Sequence, residues 1–211
     1  MRFFIDSADF DQIKNAWDTG LIDGVTTNPT LIKKAGGDPV TIYRKIYNLG
    51  VPDISMEVMG NEQDMVDEAM YLHEQFGEQC TVKLPMTPDG LAACSYLNGM
   101  DIRTNVTLIF NAAQALLAAK SGATYVSPFV GRIDDQGYAG LEVVRSIAAL
   151  LRQGGFQTQT LAASIRTPHR VVRSFFNGAD VVTMPPSVFW QMYNHVLTDQ
   201  GLDIFDKDSK S

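Results

Sequence analysis

CTVKLPMTPDGLAACSYLNG, Cys80 to Gly99, decides the fold. Its first six residues are a short run rich in apolar and β-branched side chains, which reads as a strand. PDGLAACSYLNG then has helical period and closes on Gly99, a residue suited to a left-handed C-cap before the next strand. The same strand-then-helix unit recurs on both sides. RFFID precedes DFDQIKNAWDTG, IDGVTT precedes PVTIYRKIYNLG, and DISMEV precedes EQDMVDEAMYLHEQFG. Beyond the midpoint, DIRTNVTL leads into IFNAAQALLAAKSG, TYVSPF into YAGLEVVRSIAALLRQGG, QTQTLAAS into TPHRVVRSFFNGA, and DVVTMP into PSVFWQMYNHVLTD.

Eight tightly spaced units favour a parallel sheet closed into a single (β/α)8 barrel of the α/β class over an open doubly wound sheet. One barrel domain is expected to fill residues 1–211. An extra helical tail, from about residue 198 to 211, follows the last unit; its Leu202, Ile204 and Phe205 are apolar enough to dock on a neighbouring subunit or on the chain's own barrel.

Bulk properties narrow the function. The 211 residues are 45% hydrophobic and 19% charged, with net charge -7, and the basic residues are scattered. Neither nucleic acid nor an anionic membrane is expected as a partner. Cys80 and Cys94 have no metal-ligand spacing, so no metal is expected and the thiols read as reduced. MRFFID has no leader pattern, and no run approaches the roughly 18 apolar residues of a membrane span. A cytoplasmic location is the expectation.

In such barrels chemistry sits at the C-terminal ends of the strands. The polar residues there are Asp6, Thr26 with Asn28, Glu57, Lys83, Asn105 with Thr107, Ser127, and Ser164 with Arg166. Strand residues two apart share a face. If Val82 and Leu84 meet the helices, Lys83 points inward, as do Glu57, Asn105 and Thr107 on their own strands. A desolvated lysine loses part of its preference for the charged form and becomes a nucleophile able to condense with a carbonyl. Asp6 suits the base that takes a hydroxyl proton during carbon-carbon cleavage, and Glu57 with Thr107 suits a second proton relay.

Each residue also has a structural reading. Lys83 would be ion-paired with Glu57 or Asp6, Asp6 would cap the first helix, and Asn28 would shape a turn before Pro29. Gly131 beside Arg132, together with Ser164 and Arg166, suits a phosphate held by a hydroxyl, helix N-terminal amides and arginines. Alternatively, Arg132 pairs with Asp134 or Asp135 and Ser164 caps a helix. All three histidines read as surface or packing residues.

FIDSAD, GVTTNPTLI, MEV, VKLPMTPDG, TNVTLIF, SPFVGRIDD and ASIR, in that order, resemble the transaldolases, in particular the compact subfamily that includes the fructose-6-phosphate aldolases. The resemblance implies a class I Schiff-base enzyme of the pentose phosphate route needing no cofactor. Lys83 would form the Schiff base, Asp6 would be the general acid/base, and Glu57 and Thr107 would hold a catalytic water. Thr26, Asn28, Asn105 and Ser127 would contact the dihydroxyacetone portion, and Arg132, Ser164 and Arg166 the sugar phosphate.

The resemblance also implies that Glu57 and Phe129 mark the transferase branch, because the aldolase branch tends to carry Gln and Tyr there. It implies a homo-oligomer, a pentamer or decamer. The alternatives are an aldolase releasing free dihydroxyacetone and a catalytically silent sugar-phosphate-binding barrel.

Overall fold

A computed structural model describes residues 1–210. Eight parallel strands close into one barrel in sequence order: β1 (Arg2–Asp6), β2 (Gly24–Thr26), β3 (Ile54–Glu57), β4 (Cys80–Pro85), β5 (Thr104–Ile109), β6 (Tyr125–Pro128), β7 (Gln159–Ala162) and β8 (Val181–Met184). β8 returns to β1 in parallel register, with Phe4 opposite Thr183. Around it lie α1 (Phe10–Trp17), α2 (Pro29–Ala35), α3 (Pro39–Asn48), α4 (Glu62–Phe76), α5 (Pro88–Asn98), α6 (Ala112–Lys120), α7 (Val130–Asp135), α8 (Gly140–Gln153), α9 (Pro168–Phe176) and α10 (Pro186–Gln191). Helix α11 (Val196–Ser209) follows. Among the described residues no helix is long and apolar enough to cross a membrane.

The eight expected units are all present, and three helical details differ. Two short helices, α2 and α7, fall in segments outside the eight strand-helix runs; each is only six or seven residues long, too short to show a period. The segment expected to be one last helix is broken. His195 is extended, and its Nδ1 accepts from the Leu197 amide to start a separate helix. Gly99 is right-handed at φ -64, and Asp101, two residues on, takes the left-handed turn at φ 58.

Parity works as expected. Val82, Leu84, Ile54, Met56 and Val106 are fully buried in the main core between sheet and helices. A second, smaller apolar cluster contains Phe4, Tyr125, Leu161, Ala163 and Val181, residues that share the inward parity of Asp6, Ser127 and Thr183 and so fill the barrel. Phe4 meets Tyr125 edge-on, with ring centroids 6.3 Å apart. Gly24 makes room for it, because a Cβ there would fall 2.6 Å from the Phe4 ring.

At the N-terminal end of the barrel Asp53 is almost fully buried. It accepts hydrogen bonds from Thr81 Oγ1 (2.8 Å), Arg103 Nη1 (2.8 Å) and the Tyr125 hydroxyl (2.7 Å). Arg2 donates in turn to Tyr125 (2.8 Å). Burial, with the Asp53 charge beside it, pushes the Tyr125 phenol up to about 12. The carboxylate is thus satisfied from three sides, as a buried charge must be.

Candidate active site

The opposite end of the barrel opens into a cavity. Its wall is formed by Asp6, Thr26, Asn28, Lys83, Asn105, Thr107, Ser127, Phe129, Arg132, Leu161, Ala163, Ser164 and Thr183. Of the residues expected at the site, Glu57 and Arg166 are the two that do not line it.

Lys83 is the centre of the arrangement. Its Nζ lies 2.8 Å from Glu57 Oε2 and donates to the Thr27 carbonyl at 2.8 Å. The side chains of Lys83 and Glu57 are 6% and 10% exposed, so the pair is shielded from salt and solvent. Lys83 is thus both buried and ion-paired, with Glu57 as the partner of the two carboxylates that the sequence offered. The register that sets Lys83 beside Glu57 across β3 and β4 gives the ammonium a counter-charge. The same contact places a proton acceptor against the amine, so an ion pair and a catalytic lysine would share one geometry.

Asp6 does not cap α1. Asp9 does, accepting from the Gln12 amide at 3.1 Å. Asp6 instead turns inward at the end of β1 and accepts from Thr26 Oγ1 at 2.8 Å. Burial raises its pKa, opposed by the Lys83 charge and by the Thr26 hydrogen bond.

Thr26 Oγ1 also lies 2.6 Å from Thr183 Oγ1. A hydroxyl carries one proton. Since that of Thr26 goes to Asp6, Thr183 donates to Thr26, and the three groups form a directed chain. Thr183 escaped the sequence reading although its position near the end of β8 was legible, because that strand's polar residue was not counted with the others.

Thr183→Val is expected to lower kcat about fivefold, the worth of one hydrogen bond, and to move the acid limb of the pH profile upward. Thr183→Ser should restore both. An unchanged limb would show that Thr183 only packs.

On β5, Asn105 and Thr107 face the cavity. Asn105 accepts from Ser127 Oγ (2.6 Å) and donates to Ser55 Oγ (3.2 Å). Among the described residues Thr107 Oγ1 is buried with no hydrogen-bond partner, and a bound hydroxyl or water could pair with it. Next to it the pairing of β5 with β6 slips between Val106 and Ile109, and Leu108 has φ 59. A non-glycine residue held there is strained, and such strain tends to cluster at functional sites.

Two further groups were invisible to side-chain reasoning. Thr27 acts through its carbonyl. Tyr43 is buried on α3 close to Thr27 and Glu57, the two partners of Lys83, and burial raises its phenol's pKa. Asn28 does cap α2, with Oδ1 accepting from the Leu31 amide at 3.0 Å, and it lines the cavity as well.

The proposed anion end differs in detail from expectation. Ser164 is left-handed at φ 58. The amides of Val130 and Gly131 donate to the Ala163 and Ser164 carbonyls, both at 3.0 Å, so these two α7 amides are not free for an anion. Ser164 caps no helix, since Thr167 caps α9. Arg132 stacks over Phe129, 4.8 Å from the ring centroid, and makes no ion pair among the described residues. Its expected partners are taken: Asp134 by Arg170 (3.1 Å) and Asp135 by Arg166 (2.5 Å).

Comparison with known proteins finds relatives over nearly the whole chain. Residues 3–210 match the family described as Transaldolase/Fructose-6-phosphate aldolase. The chain is 46% identical over 209 residues to a "Probable transaldolase" of Thermodesulfovibrio yellowstonii, covering 99% of this chain and 97% of that one. It is 47% identical to a "Probable transaldolase" of Caulobacter vibrioides, covering 99% and 96%. A third protein of that name, from a Ruegeria strain, is 46% identical, covering 100% and 97%.

Proposed function

The chain belongs to the transaldolase/fructose-6-phosphate aldolase family, and from that premise we propose that it is a transaldolase. It moves a dihydroxyacetone unit from sedoheptulose 7-phosphate or fructose 6-phosphate to glyceraldehyde 3-phosphate or erythrose 4-phosphate, within the pentose phosphate route of the cytoplasm. The observation that carries the reading is the buried Lys83–Glu57 contact on a cavity that also holds the Asp6 carboxylate.

Lys83 cedes a proton to Glu57, and the neutral amine attacks the C2 carbonyl of the ketose phosphate. The carbinolamine oxygen leaves as water, its proton supplied from Glu57. The unpartnered Thr107 hydroxyl holds that water. In the resulting iminium, the Asp6 carboxylate takes the C4 hydroxyl proton as the C3–C4 bond breaks, and the bond's electron pair passes into the iminium to give an enamine. The aldose phosphate departs. The enamine then attacks the acceptor aldehyde, Asp6 returns its proton to the new hydroxyl, and hydrolysis frees Lys83.

Thr26, Asn28, Asn105 and Ser127 hold the hydroxyls of the three-carbon unit, while Arg132, Ser164 and Arg166 take the phosphate. Phe129 has no proton to give, which favours survival of the enamine until the acceptor arrives. Borohydride added with fructose 6-phosphate should leave a mass adduct on Lys83; full activity with Lys83 unmodified would sink the mechanism. Appreciable free dihydroxyacetone formed without any acceptor aldehyde would assign the chain to the aldolase branch instead.

The chain is further proposed to act as a homo-oligomer, a pentamer or decamer. In support, α11 has no buried residue, and its Val196, Leu197, Leu202, Ile204 and Phe205 are all exposed. A solution mass equal to one chain would refute this.

A further inference from the structure

The two arginines at the mouth are in different states. Arg132 lies on the cavity wall with its guanidinium stacked on Phe129, whereas Arg166 is off the wall. The Arg166 side chain runs past Gly131, where a Cβ would fall 2.8 Å from its Nε. It ends in a two-pronged contact with Asp135, Nη1 to Oδ1 and Nη2 to Oδ2 each at 2.5 Å.

A guanidinium fork fits a carboxylate and a phosphate with the same geometry. Asp135 therefore occupies the groups that a phosphate would need. Both side chains are about half exposed, at 54% and 47%, so the contact is weak and Asp135 loses little on returning to water. Asp134 cannot take its place, being held by Arg170 and by the Gly140 amide at 3.0 Å.

We propose that Asp135 is an internal competitor for the phosphate, a latch that parks Arg166 outside the cavity and gives it up only to a ligand carrying a phosphate. This rests on the reading of Arg132, Ser164 and Arg166 as the phosphate end. A phosphorylated sugar brings a dianion that outcompetes one carboxylate, and Arg166 swings in to complete the site. A neutral sugar offers nothing in exchange, so Arg166 stays with Asp135. Asp135 thus sets, by competition for Arg166, how tightly a phosphorylated ligand is held, although it never touches that ligand.

Calorimetric titration with inorganic phosphate, which needs no turnover, tests the latch in the wild type, Asp135→Asn and Asp134→Asn. Removing the competitor should tighten phosphate roughly two- to fivefold in Asp135→Asn, the scale of an exposed ion pair. Asp134→Asn, which removes a neighbouring charge but leaves Arg166 parked, should change affinity much less. Weaker or unchanged binding in Asp135→Asn would overturn the latch, as would equal tightening in both variants. Failure of phosphate to bind the wild type would overturn the phosphate end itself, leaving the Lys83 reading to its own adduct test.

Discussion

Lys83→Met is expected to lose more than about 10⁴-fold in turnover and to give no borohydride adduct, because among the described residues no other amine lines the cavity wall to replace the nucleophile. Stability should fall as well. The substitution leaves the Glu57 carboxylate buried without its counter-charge, and breaking one side of a buried pair costs about 3–5 kcal/mol. For a chain of this length that is a melting temperature roughly 10 °C lower. Adding Glu57→Gln removes the orphaned charge, so the double variant should recover most of the lost stability and none of the activity. A Lys83→Met protein that melts like the wild type would show that the ion pair is energetically idle.

Asp6→Asn should move activity and stability in opposite directions. Losing the proton acceptor should lower kcat about 10²- to 10⁴-fold. The sign for stability follows from burial, which raises the Asp6 pKa in the folded state. Between the ordinary aspartate value and that raised value the native state binds more protons than the unfolded one, so the wild type loses stability as pH climbs through this window. Asparagine never ionises and keeps an acceptor for Thr26 Oγ1. The variant should therefore melt higher than the wild type at neutral pH, and the difference should vanish in acid, which melting curves at pH 3 and pH 7 can read. A variant less stable at neutral pH would show that its charge pays its way through Lys83.

The barrel was legible because its cause is repeated eight times. Short apolar and β-branched runs, which form strands of three to six residues, each followed by a helical period, leave little freedom once parallel closure is assumed. Lys83, Asp6 and Asn105 were legible for a related reason: a polar residue at inward parity on a buried strand is costly unless the interior provides for it.

What escaped has a physical pattern. The Thr27 carbonyl belongs to the backbone, which every residue possesses, so no residue type signals it. The Arg166–Asp135 contact joins residues from separate strand-helix junctions, and the sequence offered Arg132 as an equally good partner for Asp135. The used amides of Val130 and Gly131 depend on Ser164 adopting φ 58, a conformation that serine seldom signals. The short helices α2 and α7 lacked the length over which a period becomes visible.

The apolar plug of Phe4, Tyr125, Leu161 and Val181 makes the reaction chamber a vessel with one opening. On the proposed function, protons drawn from or returned to bulk water would pass the same mouth through which the sugar enters. A seated ligand is then its own stopper, and while it is bound Lys83, Glu57 and Asp6 share a closed stock of protons. On the proposed mechanism, the three-carbon fragment left behind when the first aldose departs would wait at the bottom of this chamber. Whatever next fills the mouth, water or a second aldehyde, decides its fate.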